Sequence, residues 1–282
     1  MRGDDTMGIR EWETLYEVKG PKSLMEMTAV ELKEAMKDCD TVILSFGAIE
    51  NHGYPLPLGT DYFQANTLIR CVHEALLEMG HKTIPGFAVP FGTDTNHFER
   101  SGANLFGNVF LNEKTFIDFV EDLILSLHKS GFNRFVLCLN HSENQAALNV
   151  AAKDLANRYG IKSVVADWVA PHNDFWPTVL KNAEHQGHGG EDEAACTRVA
   201  APKLVHLDNV EGYYPPEDPK PVHMGGLYYY GGSVGVFTPV EAYEDNSPGY
   251  TGDPGDATIE EGILCYEAYA KWIAAVADKY LF

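Results

Sequence analysis

The chain has 282 residues, 45% of them hydrophobic, with 21 basic against 41 acidic side chains and a formal net charge of −20. That size allows one large domain with a substantial core, and the acidity excludes nucleic acid and anionic membranes as natural partners. Five scattered cysteines without a CxxC pair, a charged N-terminus without an apolar leader, and no apolar run of about 18 residues together lead us to expect a reduced, cytoplasmic protein.

Strand and helix signals alternate along the chain. Thr28 followed by Glu31 has capping-box spacing and opens a helix. TVILSFGA is a short unbroken apolar run of the kind buried in a parallel sheet. From Tyr62 to Met79 apolar residues recur at helical spacing, and Gly80 supplies the stop. KTIPGFAVPFG is a second strand candidate, interrupted by Pro85 and Gly86. Asn112 opens a helix whose apolar face runs from Phe116 to Leu127, and Gly131 closes it. RFVLCLN is the next strand, a helix follows over about 145–159, KSVVADW is a further strand, and a last helix spans about 258–280. This alternation predicts an α/β fold, a three-layer α/β/α sandwich around a mostly parallel central sheet.

Residues 209–256 break the rhythm with YYPPEDPKP and GGLYYYGGSVG. A loop of that length inside one domain (1–282) serves as a lid, an oligomer contact or a plain surface insertion.

Ligands in parallel sheets bind beyond the carboxyl ends of strands. Two strand ends here carry the same pair of residue types. SFGAIENHGYPLPLGTD places Glu50 and His52 past the first strand, with Asp61 at the start of the next helix. RFVLCLNHSEN places His141 and Glu143 past another. Alternate residues of an extended segment point the same way, so each pair can serve one site. Taken singly, these residues have ordinary roles, Asp61 as a helix cap and His52 as a loop histidine. Two histidines and three carboxylates together suit a pair of divalent ions such as zinc or manganese, with an aspartate as bridge. In EHQGHGGEDEAAC, the glycines around His188 suggest close approach to a ligand, and its imidazole suits proton transfer near neutral pH. Glu191 and Asp192 are expected only to complement the dipole of the helix they begin.

These blocks resemble the creatininase family. GAIENHGYPLPLGTD is similar to its Glu-x-His-Gly signature, proline-rich turn and Leu-Gly-Thr-Asp. LNHSEN resembles its Asn-Gly-His-x-x-Asn block, HGGEDEAA its His-Ala-Gly-x-x-Glu block, and GYTGDPGDATIEEG its C-terminal Gly-Asp-Pro ending. The order of blocks is retained from about residue 25 to 280, and RSGANLFGNVFLNEKTFIDFVEDLILSLHKSGFNRFVL resembles the family's approach to the second ligand strand.

The resemblance implies that Glu50 and His141 hold one ion, His52 and Glu143 a second, and Asp61 bridges them. It implies His188 as the catalytic histidine and Glu193 as a supporting residue, and we expect His188 or Glu143 to deliver a proton to the leaving group. It also implies a homo-oligomer, commonly a hexamer. Where creatinine-cleaving members carry a stacking tryptophan, this chain has Glu184; Asn140 and Ser142 replace a glycine and an aromatic, and Trp168 is the candidate for a second substrate-facing tryptophan. The expected function is a binuclear hydrolase in which metal-bound hydroxide cleaves an amide C–N bond of a small, polar, cyclic substrate. Hydrolytic C–C opening of a cyclic polyol diketone is the near alternative, and a non-catalytic metal-binding protein the distant one.

Overall fold

Short apolar runs that cannot expose either face to water pair into one sheet and cover it with helices. The computed structural model describes residues 18, 20–93, 106–168, 171–214 and 248–282. Most of the expected insertion at 209–256, and the start of the RSGANLFG stretch, lie outside these residues.

In chain order the regular elements are α1 (Ala29–Ala35), β1 (Thr41–Phe46), α2 (Thr60–Glu78), β2 (Ile84–Val89), β3 (Gly92–Thr93), β4 (Phe110–Leu111), α3 (Glu113–Lys129), β5 (Arg134–Leu139), α4 (Asn144–Tyr159), β6 (Lys162–Asp167), α5 (His172–Val179), α6 (Glu191–Ala200) and α7 (Ile259–Leu281). The main sheet runs β2-β1-β5-β6, each neighbouring pair parallel. The expected strand through Pro85 and Gly86 forms unbroken as β2, and β1 and β2 accommodate it with a register irregularity between Ile43 and Ser45.

Alternation along β1 divides two cores, which makes the three layers. Val42, Leu44 and Phe46 join Phe116, Val120 and Leu148 from α3 and α4. Ile43 joins Leu68, Ile69 and Val72 of α2 and Tyr269 and Ile273 of α7. Caps fix the helix starts as expected: Thr28 and Thr258 form capping boxes, and the Asn112 side chain accepts from the Thr115 amide. None of the described helices is long and apolar enough to cross a membrane.

Register then places the two motif loops. Phe46 pairs with Leu139, so the chain segments after β1 and β5 leave the sheet side by side. Gly47 lets α2 begin against this edge, since a Cβ there would fall 2.8 Å from the Asp61 Cβ. Asn144 joins the pieces: its Nδ2 donates to the Gly47 carbonyl at 3.1 Å, and its Oδ1 accepts from the Thr93 amide at 2.8 Å.

Candidate metal centre

Three buried histidines present one ring nitrogen to carboxylates while the other nitrogen engages a backbone carbonyl. His52 Nδ1 lies 3.0 Å from the Glu50 carbonyl oxygen, and its Nε2 lies 3.1 Å from Asp61 Oδ1 and 3.3 Å from Glu193 Oε2. His141 Nε2 lies 2.9 Å from the Thr93 carbonyl, and its Nδ1 lies 3.1 Å from Glu50 Oε2 and 3.5 Å from Asp61 Oδ2. His188 Nε2 lies 2.7 Å from the Asn51 carbonyl, and its Nδ1 lies 3.8 Å from Glu50 Oε1. A carbonyl only accepts, so each of these backbone contacts takes an N–H and turns the second nitrogen toward the acids as a potential ligand or base.

Ionisation follows from this crowding. Burial opposes charge on His141, but Glu50 and Asp61 lift its pKa to about 10. Burial likewise opposes charge on His52, and Asp61 and Glu193 nevertheless raise it well above the ordinary histidine value. Glu50 is held low against the cost of burial by His188, His141 and His52. Asp61 is raised, burial outweighing its two histidine neighbours. Asp61 Oδ2, buried without a hydrogen-bond partner, is the kind of orphaned acceptor that an ion would use. The nitrogen and oxygen donors suit zinc or manganese.

The sites expected from sequence are brought together in part. Among the described residues, ligand atoms converge in two groups, Glu50 with Asp61 and His141, and Glu50 with His52 and His188. Glu143 belongs to neither: it is the N-cap of α4, and its backbone carbonyl accepts from Thr93 Oγ1 at 3.0 Å. The acid beside His52 Nε2 is instead Glu193, whose Oε2 also accepts from the Gly189 amide at 2.8 Å. Ser142 is half-buried at the mouth of the same loop and Glu184 is exposed. Trp168 is 3% exposed, its indole packed edge to face on Tyr269 in the core.

Two acids have roles that the sequence reading did not assign. Glu191 is buried, accepting from the backbone amides of Lys181 and Asn182 at 2.9 and 3.0 Å. It therefore anchors the loop that leads to His188 rather than only complementing a helix dipole. Asp192 is also buried, and burial followed by the nearby Glu193 charge raises its pKa well above the usual carboxylate range, so it is no solvated dipole partner. Asn51 was missed altogether. Its carbonyl receives His188, its Oδ1 accepts from the Gly53 amide at 2.8 Å, and its own amide donates to Asn108 Oδ1 at 2.7 Å. Its signal was its place between Glu50 and His52, where a neutral polar residue draws no notice.

Comparison with known proteins identifies the family and the fold. The sequence model of the creatininase family, described as creatinine amidohydrolase, matches residues 25–277. A creatinine amidohydrolase of Pseudomonas putida is 26% identical over 267 residues, covering 89% of this chain and 93% of its own. A 3-dehydro-scyllo-inosose hydrolase of Thermotoga maritima is 23% identical over 187 residues, covering 64% of this chain and 57% of its own. A solved structure described as "Creatininase Mn" superposes with a TM-score of 0.68 at 25% identity, covering 92% of this chain and 99% of that one.

Proposed function

The chain belongs to the creatininase family of hydrolases, and on that premise we propose that it is a binuclear metal-dependent enzyme cleaving an amide C–N bond in a small, polar, cyclic substrate. The observation that carries this reading is the position of Asp61, with one carboxylate oxygen 3.1 Å from His52 Nε2 and the other 3.5 Å from His141 Nδ1. One ion would be held by Glu50, His141 and Asp61, and a second by His52, Glu193 and Asp61. Zinc or manganese there supplies Lewis acidity, polarising a carbonyl and making water a nucleophile near neutral pH.

The chain's own residues do the rest. Glu50 and the three histidines are buried, so the charges that bind substrate act with little solvent screening. His188, held by its Nε2 contact to Asn51, moves a proton at Nδ1 between the attacking water and the leaving group. Glu143, half-buried beside the same loop, is the second candidate for proton transfer. Glu184 stands exposed at the position of the stacking tryptophan of creatinine-cleaving members, and Trp168 is committed to the core, so creatinine is a poor fit. A homo-oligomer, a hexamer by family resemblance, belongs to the same proposal and is checked by mass in solution.

The Thermotoga maritima relative favours a second reading, C–C opening of a cyclic polyol diketone. Assays of the zinc- or manganese-loaded protein on creatinine, other small cyclic amides and cyclic polyol diketones, with products identified by mass, separate the two. Amide opening supports the first reading and C–C opening the second. Turnover undiminished by a chelator would overturn metal dependence.

A further inference from the structure

Residues 248–252 form a strap laid across the two loops that carry His52 and His188. At its centre, Tyr250 is 2% exposed. It fills space that side chains on both loops would otherwise need, with its ring at one loop and its Cβ at the other. A Cβ on Gly53 would fall 2.6 Å from Tyr250 Cδ1, and one on Gly189 would fall 2.7 Å from Tyr250 Cβ. Both glycines are left-handed, at φ of 73° and 64°, a conformation that L side chains rarely adopt. Position 53 follows His52, and position 189 follows His188, so Tyr250 sits against the backbone of each histidine's immediate neighbour, with its ring at Gly53 and its Cβ at Gly189.

Hydrogen bonds fix the strap on both sides. The Thr251 amide donates to the His188 carbonyl at 2.8 Å. The Tyr250 hydroxyl donates to the Glu211 carbonyl at 2.8 Å. The Gly252 amide and carbonyl exchange bonds with Tyr213 at 2.7 and 2.8 Å, and the Tyr54 ring meets Tyr250 edge to face at 6.0 Å. The residue whose carbonyl receives His188 Nε2–H, Asn51, lies two positions before Gly53 and bonds its amide. Tyr250 thus sets the spacing between the donor loop and the acceptor loop of that contact.

We infer that Tyr250 is a positioning residue: seated between the two loops, with its ring against Gly53 and its Cβ against Gly189, it holds them in the register that keeps His188 Nε2–H on the Asn51 carbonyl and Nδ1 toward Glu50. This rests on the reading above only in giving His188 a proton to move. The packing itself does not depend on any reaction. The ring is the part that meets the acceptor loop, because the Gly53 contacts are to Cδ1 and Cε1, while Gly189 is met by Cβ and the hydroxyl bonds outward to Glu211.

The test is the tautomer of His188, read from nitrogen chemical shifts of the zinc-loaded, histidine-labelled protein and assigned by the signal that disappears in His188→Gln. The wild type shows one neutral tautomer, protonated at Nε2. Tyr250→Ala retains its zinc but loses that single-tautomer signature, whereas Tyr250→Phe retains it. Should the alanine variant not fold, Tyr250→Leu, which fills part of the space, shows the same loss to a smaller degree. An unchanged tautomer in Tyr250→Ala or Tyr250→Leu would overturn the proposal, as would loss of the signature in Tyr250→Phe. If His188→Gln left hydrolysis intact, the functional assignment of His188 would fail while the tautomer result stood.

Discussion

Glu193 Oε2 lies 3.3 Å from His52 Nε2. The two residues are far apart in sequence, and the start of α6 brings the acid to the loop after β1. Because Asp61 flanks the same nitrogen at 3.1 Å, the second ion is expected on His52, Asp61 and Glu193. Glu193→Gln should lower bound metal toward one ion per chain after gel filtration, while Glu143→Gln keeps two. The reverse pattern would return the ligand role to Glu143.

That contrast shows what the sequence could and could not reveal. Glu50 and His52 were legible because two ligand types two apart followed a buried apolar strand, and Asp61 because it opened the next helix. The expectation for Glu143 assumed that the chain stays extended past His141, where side chains alternate. Glu143 already has φ −63° and ψ −22°, helical values, so the two-residue period has lapsed. Glu193 was a supporting residue by the family resemblance alone; that it meets His52 depends on α6 starting beside the loop after β1, a tertiary fact. Trp168 was a substrate-facing candidate only by the family resemblance, and in the fold its ring packs edge to face on Tyr269 of α7. The strands and helices were read with better fidelity because burial and capping are local, as Thr28, Asn112 and Thr258 show.

His188 holds a backbone carbonyl with one nitrogen and faces Glu50 with the other. His188→Ala should keep both ions and lower the turnover number by a factor of about 10² to 10⁴, the usual loss for a general acid or base. Metal analysis and steady-state rates on the same preparation check this. Metal lost with the side chain would make His188 a ligand, and an unchanged rate would make it structural.

Metal binding should release protons. In protein stripped by a chelator, His141 is protonated up to a pKa of about 10, held there against burial by Glu50 and Asp61, and ligation requires the neutral ring. Affinity for zinc should therefore rise with pH through the neutral range, and calorimetric heats should vary with the ionisation enthalpy of the buffer. Heats independent of buffer would contradict it. The sign for stability of the stripped protein is opposite. A raised pKa means that the His141 contribution is full below the ordinary value of 6.5 and fades as pH climbs toward about 10. Thermal unfolding across that range measures it.

Asn144 is buried, and its amide bridges Gly47 and Thr93. Asn144→Ala leaves the Thr93 amide and the Gly47 carbonyl without this partner, at a cost of about 1–3 kcal/mol for each buried group left unsatisfied. Denaturant unfolding of the metal-free protein should show that loss. Because the Thr93 carbonyl orients His141, the variant should also bind metal more weakly. Stability unchanged within error would show that water replaces the amide.

The most direct measurement is metal stoichiometry of the wild type and of Asp61→Ala under identical loading. Asp61 approaches both His52 and His141 and is the proposed bridge between the ions. The account predicts two divalent ions per chain in the wild type and a loss at both positions together in the variant. A wild type that saturates at one ion, or an Asp61→Ala protein that retains its full complement, would contradict it.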